Sequence, residues 1–177
     1  MAMSVAFTKE SDAEAVAADL PDRPIPTHAN LVTAAGLVQI EAALAASRAA
    51  YADLIAEVIA GRPAHGVLAP RETSFAGAIG PIMAGRWRGQ PRQAIHGSGY
   101  VVHSLEAALW AVGRSGSFAE AVLTAANLGD DADTTAAIAG QLAGAIWGAS
   151  GIPEAWLKRV AWAPRIRGMA ESLIERS

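Results

Sequence analysis

Cysteine is absent from the 177 residues. That excludes disulfides and removes the soft thiolate ligands that zinc and copper sites favour, and it suits a reducing compartment. Aromatic residues make up only 6% of the chain, while Ala and Gly are abundant, a composition that lets helices pack at close range through small side chains. The formal net charge is −3 and no run of Lys and Arg tracks a phosphate backbone, so no nucleic-acid partner is expected. Residues 1–10 lack the charged-then-apolar order of a signal peptide, and the expected location is cytoplasmic. Residues 134–152 are uncharged for about the length that spans a bilayer. They are mostly Ala, Gly and Thr with a central Gln141 and acids at the entrance, so they read as a buried helix and no membrane contact is expected. No period-two alternation marks a strand, and no internal repeat occurs at a fixed period. The fold class this leaves is all-α.

At this length the chain fits one domain, 1–177, with residues 1–26 as a peripheral N-terminal extension. Ser11 and Glu14 have capping-box spacing before a short helix over 13–20, which Pro21, Pro24 and Pro26 then end. From 30 to 60 the apolar residues recur at helical spacing, as one long helix or two in line, stopped by Gly61 and Pro63. Between 62 and 98 the prolines and glycines predict short helices and loops, in which His65 and His96 receive no role. Residues 101–112 form a helix with Val102, Leu105, Ala108 and Leu109 inward. Ser117 and Glu120 open a further helix over 118–128, with Val122, Leu123 and Ala126 on its buried side. A central helix follows over 134–148, where Gly140, Gly144 and Gly148 form a row of small residues. After it, Trp156, Val160 and Trp162 face inward, Pro164 breaks the run, and 166–175 form a last amphipathic helix.

The stretch with chemistry in it is Asn127-Leu128-Gly129-Asp130-Asp131-Ala132-Asp133-Thr134. Carboxylate and hydroxyl oxygens are hard ligands suited to Mg²⁺, Mn²⁺ or Ca²⁺. Asp131 and Asp133 are two apart and converge on one ion only from a turn leading into the helix that Thr134 opens. The alternative is that these acids cap the helix and complement its dipole. From the residues alone the two readings stand level. An EF-hand is excluded, because the required Gly and distal Glu are not placed after Asp131.

Gly99-Tyr100-Val101-Val102-His103-Ser104-Leu105-Glu106-Ala107-Ala108-Leu109-Trp110, the Ser117 to Val122 segment, the acidic stretch with Thr135-Ala136-Ala137, Gly140-Gln141-Leu142-Ala143-Gly144 and Ile152-Pro153-x-x-Trp156 together resemble the ADP-ribosylglycohydrolases, which include the dinitrogenase reductase-activating glycohydrolases. Thr27-His28 also resembles the family's entry to its long helix. The resemblance runs from about Thr27 onward and corresponds to the C-terminal half of the family. It implies a compact orthogonal bundle of helices, part of the family fold, around two Mg²⁺ or Mn²⁺ ions. The implied activity is hydrolysis of the bond between the anomeric ribose carbon of ADP-ribose and an acceptor such as arginine. It assigns metal ligation to Asp131, Asp133 and Thr134, and leaves Asp130 a weaker candidate. Tyr100 resembles a residue of the substrate-facing loop, where its ring could stack on the nucleotide, with a buried core Tyr as the alternative.

The family's Gly-Asp-x-x-Gly and Thr-Asp-Asp-Thr-like segments have no counterpart, and Asp12, Glu14, Asp19 and Asp22 do not replace them. No catalytic acid is therefore assigned. Two aspartates and a threonine cannot fill two octahedral shells without water or substrate. Three outcomes follow: a hydrolase completed by a partner chain or a second copy, a non-catalytic ADP-ribose-binding module, or an inactive truncated member. The expected partners are ADP-ribose or an ADP-ribosylated protein.

Overall fold

The computed structural model describes residues 32–175 apart from Thr73 and Ala76. The helix expected over 13–20 and the Thr27-His28 pair lie outside the described residues. Those that are described form eight α-helices and no strand, so the protein is all-α. None of the described helices is long and apolar enough to cross a membrane. Thr33–Glu154 form one compact unit, and the residues from Ala155 onward belong to a second.

In the first unit, α1 (Ala34–Ile59) is a single helix whose N-cap Thr33 accepts the Gly36 N–H at 3.0 Å. It ends where Gly61, at φ 92°, lets the Gly61 and Arg62 N–H groups bond back to the carbonyls of Val58 and Glu57, a closure that Gly reaches without Cβ strain. Two short helices follow, α2 (Ala64–Val67) and α3 (Ile79–Met83), and a 3₁₀ turn at Arg92–Ala94. The segment is pinned by charge: Arg71 and Arg62 both reach Glu57, and Arg86 grips Glu106 through two bonds of 2.6 and 2.7 Å. The Glu57 carboxyl lies below its usual range, chiefly because Arg71 hydrogen-bonds it.

Helix α4 (Val101–Gly113) buries nine of its thirteen residues, including the expected Val102, Leu105, Ala108 and Leu109. It is followed by α5 (Phe118–Ala126), where Ser117 Oγ accepts the Glu120 N–H while Glu120 reaches back to the Gly116 N–H at 2.7 Å. The buried face of α5 is Phe118, Ala121 and Ala125, and Leu123 is 43% exposed. Leu123 is turned outward because it shares a face with Glu120 and Thr124, three residues before and one after it, and that polar pair sets the solvent side of α5.

Helix α6 (Ala132–Trp147) packs against α1, α4 and α5. Two of the three glycines in its expected row pack on α5, where a Cβ at Gly140 or Gly144 would lie 3.7 Å from Val122 and 3.9 Å from Phe118, whereas Gly148 (φ 68°) is the C-cap that ends the helix and lies outside the row. Tyr51 of α1, buried, donates its hydroxyl to the Ile138 carbonyl, and burial raises its phenol well above the usual range. Although α6 touches three helices, α4 is the more deeply enclosed. One stripe of α6, Asp133, Thr134, Ala137 and Gln141, is open to solvent.

A short α7 (Glu154–Leu157), whose first residue is the last of the first unit, precedes α8 (Ala163–Ile174) of the second. Pro164 does not break this last helix but sits in its first turn, where the missing N–H has no intrahelical partner to lose. Val160 and Trp162 are exposed rather than inward. Trp162 has φ 58° as the N-cap, and that turn carries its ring to the surface.

Candidate functional site

Five residues, 127–131, connect α5 to α6. Gly129 (φ 78°) and Asp130 (φ 52°) are both left-handed, so the chain reverses within two positions, the second occupied by one of the few non-glycine types that tolerate it. Arg92 secures the reversal by donating to the Leu128 carbonyl and, at 3.5 Å, to that of Asn127. The Asp131 N–H donates to the Gly97 carbonyl at 2.9 Å, and Thr135 Oγ1 donates to the same carbonyl at 3.2 Å. Two loops distant in sequence are thereby joined through backbone. Gly97 has no room for a side chain: its Cβ would stand 2.9 Å from the Gly129 carbonyl oxygen.

Helix α6 starts two residues earlier than its sequence suggested, making Asp131 the N-cap and placing Asp133 and Thr134 in the first turn. Nothing in Ala132-Asp133 opposes helix, and an acid in a first turn complements the dipole. The capping reading then divides. Asp133 Oδ1 accepts the Thr134 N–H at 3.0 Å. Asp131, in the capping position, makes no side-chain capping bond. Its carboxylate instead lies against Gly99, where a Cβ would come within 2.6 Å of Oδ2. Asp131 is half-buried, whereas Asp133 and Thr134 are exposed.

Three oxygen-bearing side chains thus sit within four residues, and they are hard donors of the kind Mg²⁺ and Mn²⁺ take. Among the described residues no group of three or more His, Asp and Glu stands close enough to hold a metal ion. The residues present therefore fit such a cation in donor type but furnish only part of one shell.

The loop facing Asp131 leads into α4. Tyr100 is its N-cap residue and is 46% exposed, which removes the core-tyrosine alternative. Its ring stands perpendicular to the His103 imidazole with centroids 5.2 Å apart, and His96 lies 5.5 Å from His103. Ser98 Oγ and His103 Nδ1 are hydrogen-bonded at 2.8 Å. Ser104 Oγ donates to the Ser98 and Tyr100 carbonyls at 2.9 and 3.2 Å. The sequence pointed to Tyr100 but gave no role to His96, Ser98 or His103. The available signal was the three-residue step from Tyr100 to His103, one turn along the same helix face. Beyond Val101 an open groove of about 390 Å³ runs between α4, α6 and α1, lined by Leu105, Ile138, Gln141, Leu44 and Tyr51.

An all-helical unit with an acidic helix entrance packed on a glycine-rich, tyrosine-bearing loop is the class that fold and site define. The family model for ADP-ribosylglycohydrolases matches residues 1–177, and the chain belongs to that family. It is 53% identical over 96 residues to an ADP-ribosylarginine hydrolase Tri1 of Pseudomonas putida (strain GB-1), a match covering 54% of this chain and 26% of that protein. It is 46% identical over 110 residues to the Tri1 of Serratia proteamaculans (strain 568), covering 58% of this chain and 30% of the relative. An ADP-ribosyl-[dinitrogen reductase] glycohydrolase of Rhodospirillum rubrum is 38% identical over 63 residues, covering 36% of this chain and 21% of its own length. A solved structure described as an ADP-ribosylglycohydrolase-related protein complex superposes with a TM-score of 0.64 at 35% identity, covering 70% of this chain and 44% of the other. The chain thus spans less than half the length of each of these four proteins.

Proposed function

We propose that this chain forms the metal-holding and nucleotide-facing part of a hydrolase that cleaves ADP-ribosyl bonds, with ADP-ribosylated arginine as the leading substrate. Family membership supports the reaction class, and the two relatives named as ADP-ribosylarginine hydrolases support the acceptor. The observation that carries the reading is Asp131: an N-cap carboxylate that caps nothing, held against the loop that bears Tyr100. A helix N-terminus repels cations, and two acids with a hydroxyl are what would offset that.

Asp131, Asp133 and Thr134 would hold Mg²⁺ or Mn²⁺, which when bound supplies positive charge to orient the ribose hydroxyls and polarise the oxygen at the scissile bond. The chain's own residues do the positioning. Gly97 and Gly99 bring the loop backbone against the acidic turn, Tyr100 offers a half-exposed ring for the nucleotide, and Asp133 lies at the solvent edge. The general acid and the remaining ligands would come from outside the described residues, a partner chain or a second copy being the source the exposed apolar surface favours. The N-terminal half of α1 supports this association: Leu37, Val38, Ile40 and Leu44 are all exposed, and Glu41 is the one charge among residues 34–47. Burying several hundred Å² of such surface, at about 25 cal/mol per Å², would be a substantial drive to assemble.

The short count of donors favours a second reading, an ADP-ribose-binding module without turnover. Light scattering combined with an ADP-ribosyl-arginine hydrolysis assay separates the two. The hydrolase reading expects turnover in the assembled fraction and its loss in Asp131→Ala. Binding of ADP-ribose with no turnover in any fraction would leave the binding module, and turnover by a clean monomer would overturn the need for a partner.

A further inference from the structure

We infer that His103 is a positioning residue, which sets the orientation of the Tyr100 ring and ties it to the acidic turn through Ser98. The inference rests on the reading of Tyr100 as the nucleotide-facing ring and adds how that ring is held.

An aromatic side chain that is 46% exposed has little packing to fix its rotamer, so something local must hold it if it is to serve as a stacking platform. The His103 imidazole, one turn along α4, supplies a perpendicular ring contact at 5.2 Å, a favoured aromatic geometry. That contact orients Tyr100 only if the imidazole is itself fixed. Ser98 fixes it: its Oγ bonds His103 Nδ1 at 2.8 Å and accepts the Tyr100 N–H at 3.4 Å. Ser98 is anchored in turn, because Ser104 holds its carbonyl and its neighbours Gly97 and Gly99 are packed on the Asp131 turn. The path from Tyr100 to Asp131 is therefore continuous: ring to imidazole, imidazole to Ser98, and Ser98 through its flanking glycines to the carboxylate. Ser98 and His103 are both half-buried, so each can be altered without opening the core.

The test uses the full chain. With two tyrosines in the sequence, one buried (Tyr51) and one exposed (Tyr100), the Tyr100 ring signals are identifiable by carbon–proton NMR. Ser98→Ala keeps the imidazole and loses its anchor, while His103→Phe keeps a ring and loses the hydrogen bond. Both are expected to move the Tyr100 signals toward those of free tyrosine and to weaken ADP-ribose binding by roughly three- to tenfold, the size of one hydrogen bond. The double variant should be no worse than either single one, because both break the same link. Ser98→Thr, which retains the hydroxyl, should restore the parent signals. Unmoved Tyr100 signals in both single variants, or effects that add in the double, would overturn the inference. If the parent chain binds no ADP-ribose, the substrate-loop reading fails, and the ring signals still decide whether His103 positions Tyr100.

Discussion

Replacing Gly99 by alanine tests the site through a contact rather than through a ligand. The added Cβ would stand 2.6 Å from Asp131 Oδ2 and 3.6 Å from its Cγ, so the carboxylate must retreat by roughly an ångström to reach ordinary van der Waals separation. Gly99 is exposed and is not among the positive-φ glycines. Alanine is thus free of backbone strain there, and the melting transition should move by no more than the about 0.5 kcal/mol of a surface change. The Asp131 main chain is fixed by its bond to Gly97, so the displacement falls on the carboxylate alone. Misplacing one ligand by this amount should weaken Mn²⁺ binding by about 10- to 100-fold, the range seen when a ligand loses its support. Isothermal calorimetry reads that loss directly, with thermal unfolding as the control. Parent-like Mn²⁺ binding in Gly99→Ala would refute the reasoning, since Asp131 would then be either no ligand or free to move.

Gly97→Ala should instead destabilise the fold by about 1–3 kcal/mol, because its Cβ meets the Gly129 backbone oxygen at 2.9 Å, which cannot swing aside; an unchanged melting temperature would mean the two loops are not held together. Gly144→Leu should also lose about 1–3 kcal/mol by overpacking against Phe118 on α5, and a variant melting with the parent would show that this face is loose. Tyr51 carries a pH prediction. Burial raises its folded-state pKa, so its stabilisation is complete below the unfolded value of about 10 and is lost as pH rises above it. Stability should therefore fall with pH above about 10 in the parent and less steeply in Tyr51→Phe, and parallel pH profiles would contradict the buried, protonated phenol.

Local chemistry made much of the fold legible. The Ser117 box, the Gly61 stop and the Val102 to Leu109 stripe each depend on a few neighbouring residues, and each appears in the structure. Orientation was less legible where the contrast was weak. Leu123 of α5 faces solvent on the side that Glu120 and Thr124 mark as polar, a short signal outweighed by the apolar residues around it, and Pro164 begins a helix that it was expected to interrupt, since proline suits a first turn as well as a break. At the site, spacing brought out Asp131, Asp133 and Thr134, yet whether Asp131 caps or turns away depends on Gly99, which lies 32 residues earlier in the sequence. The Ser98–His103 pair, five residues apart, was missed for a different reason: a loop folds back onto its own helix, and no helical period encodes that.

Asp131, Asp133 and Thr134 are proposed to act together as the ligands of one divalent cation. Calorimetric titration of Mn²⁺ into the parent chain, Asp131→Ala and Asp133→Ala, with circular dichroism to confirm equal helix content, tests it most directly. Measurable binding in the parent and none in either variant is the expected result, and identical titration curves for all three would contradict shared ligation of one cation.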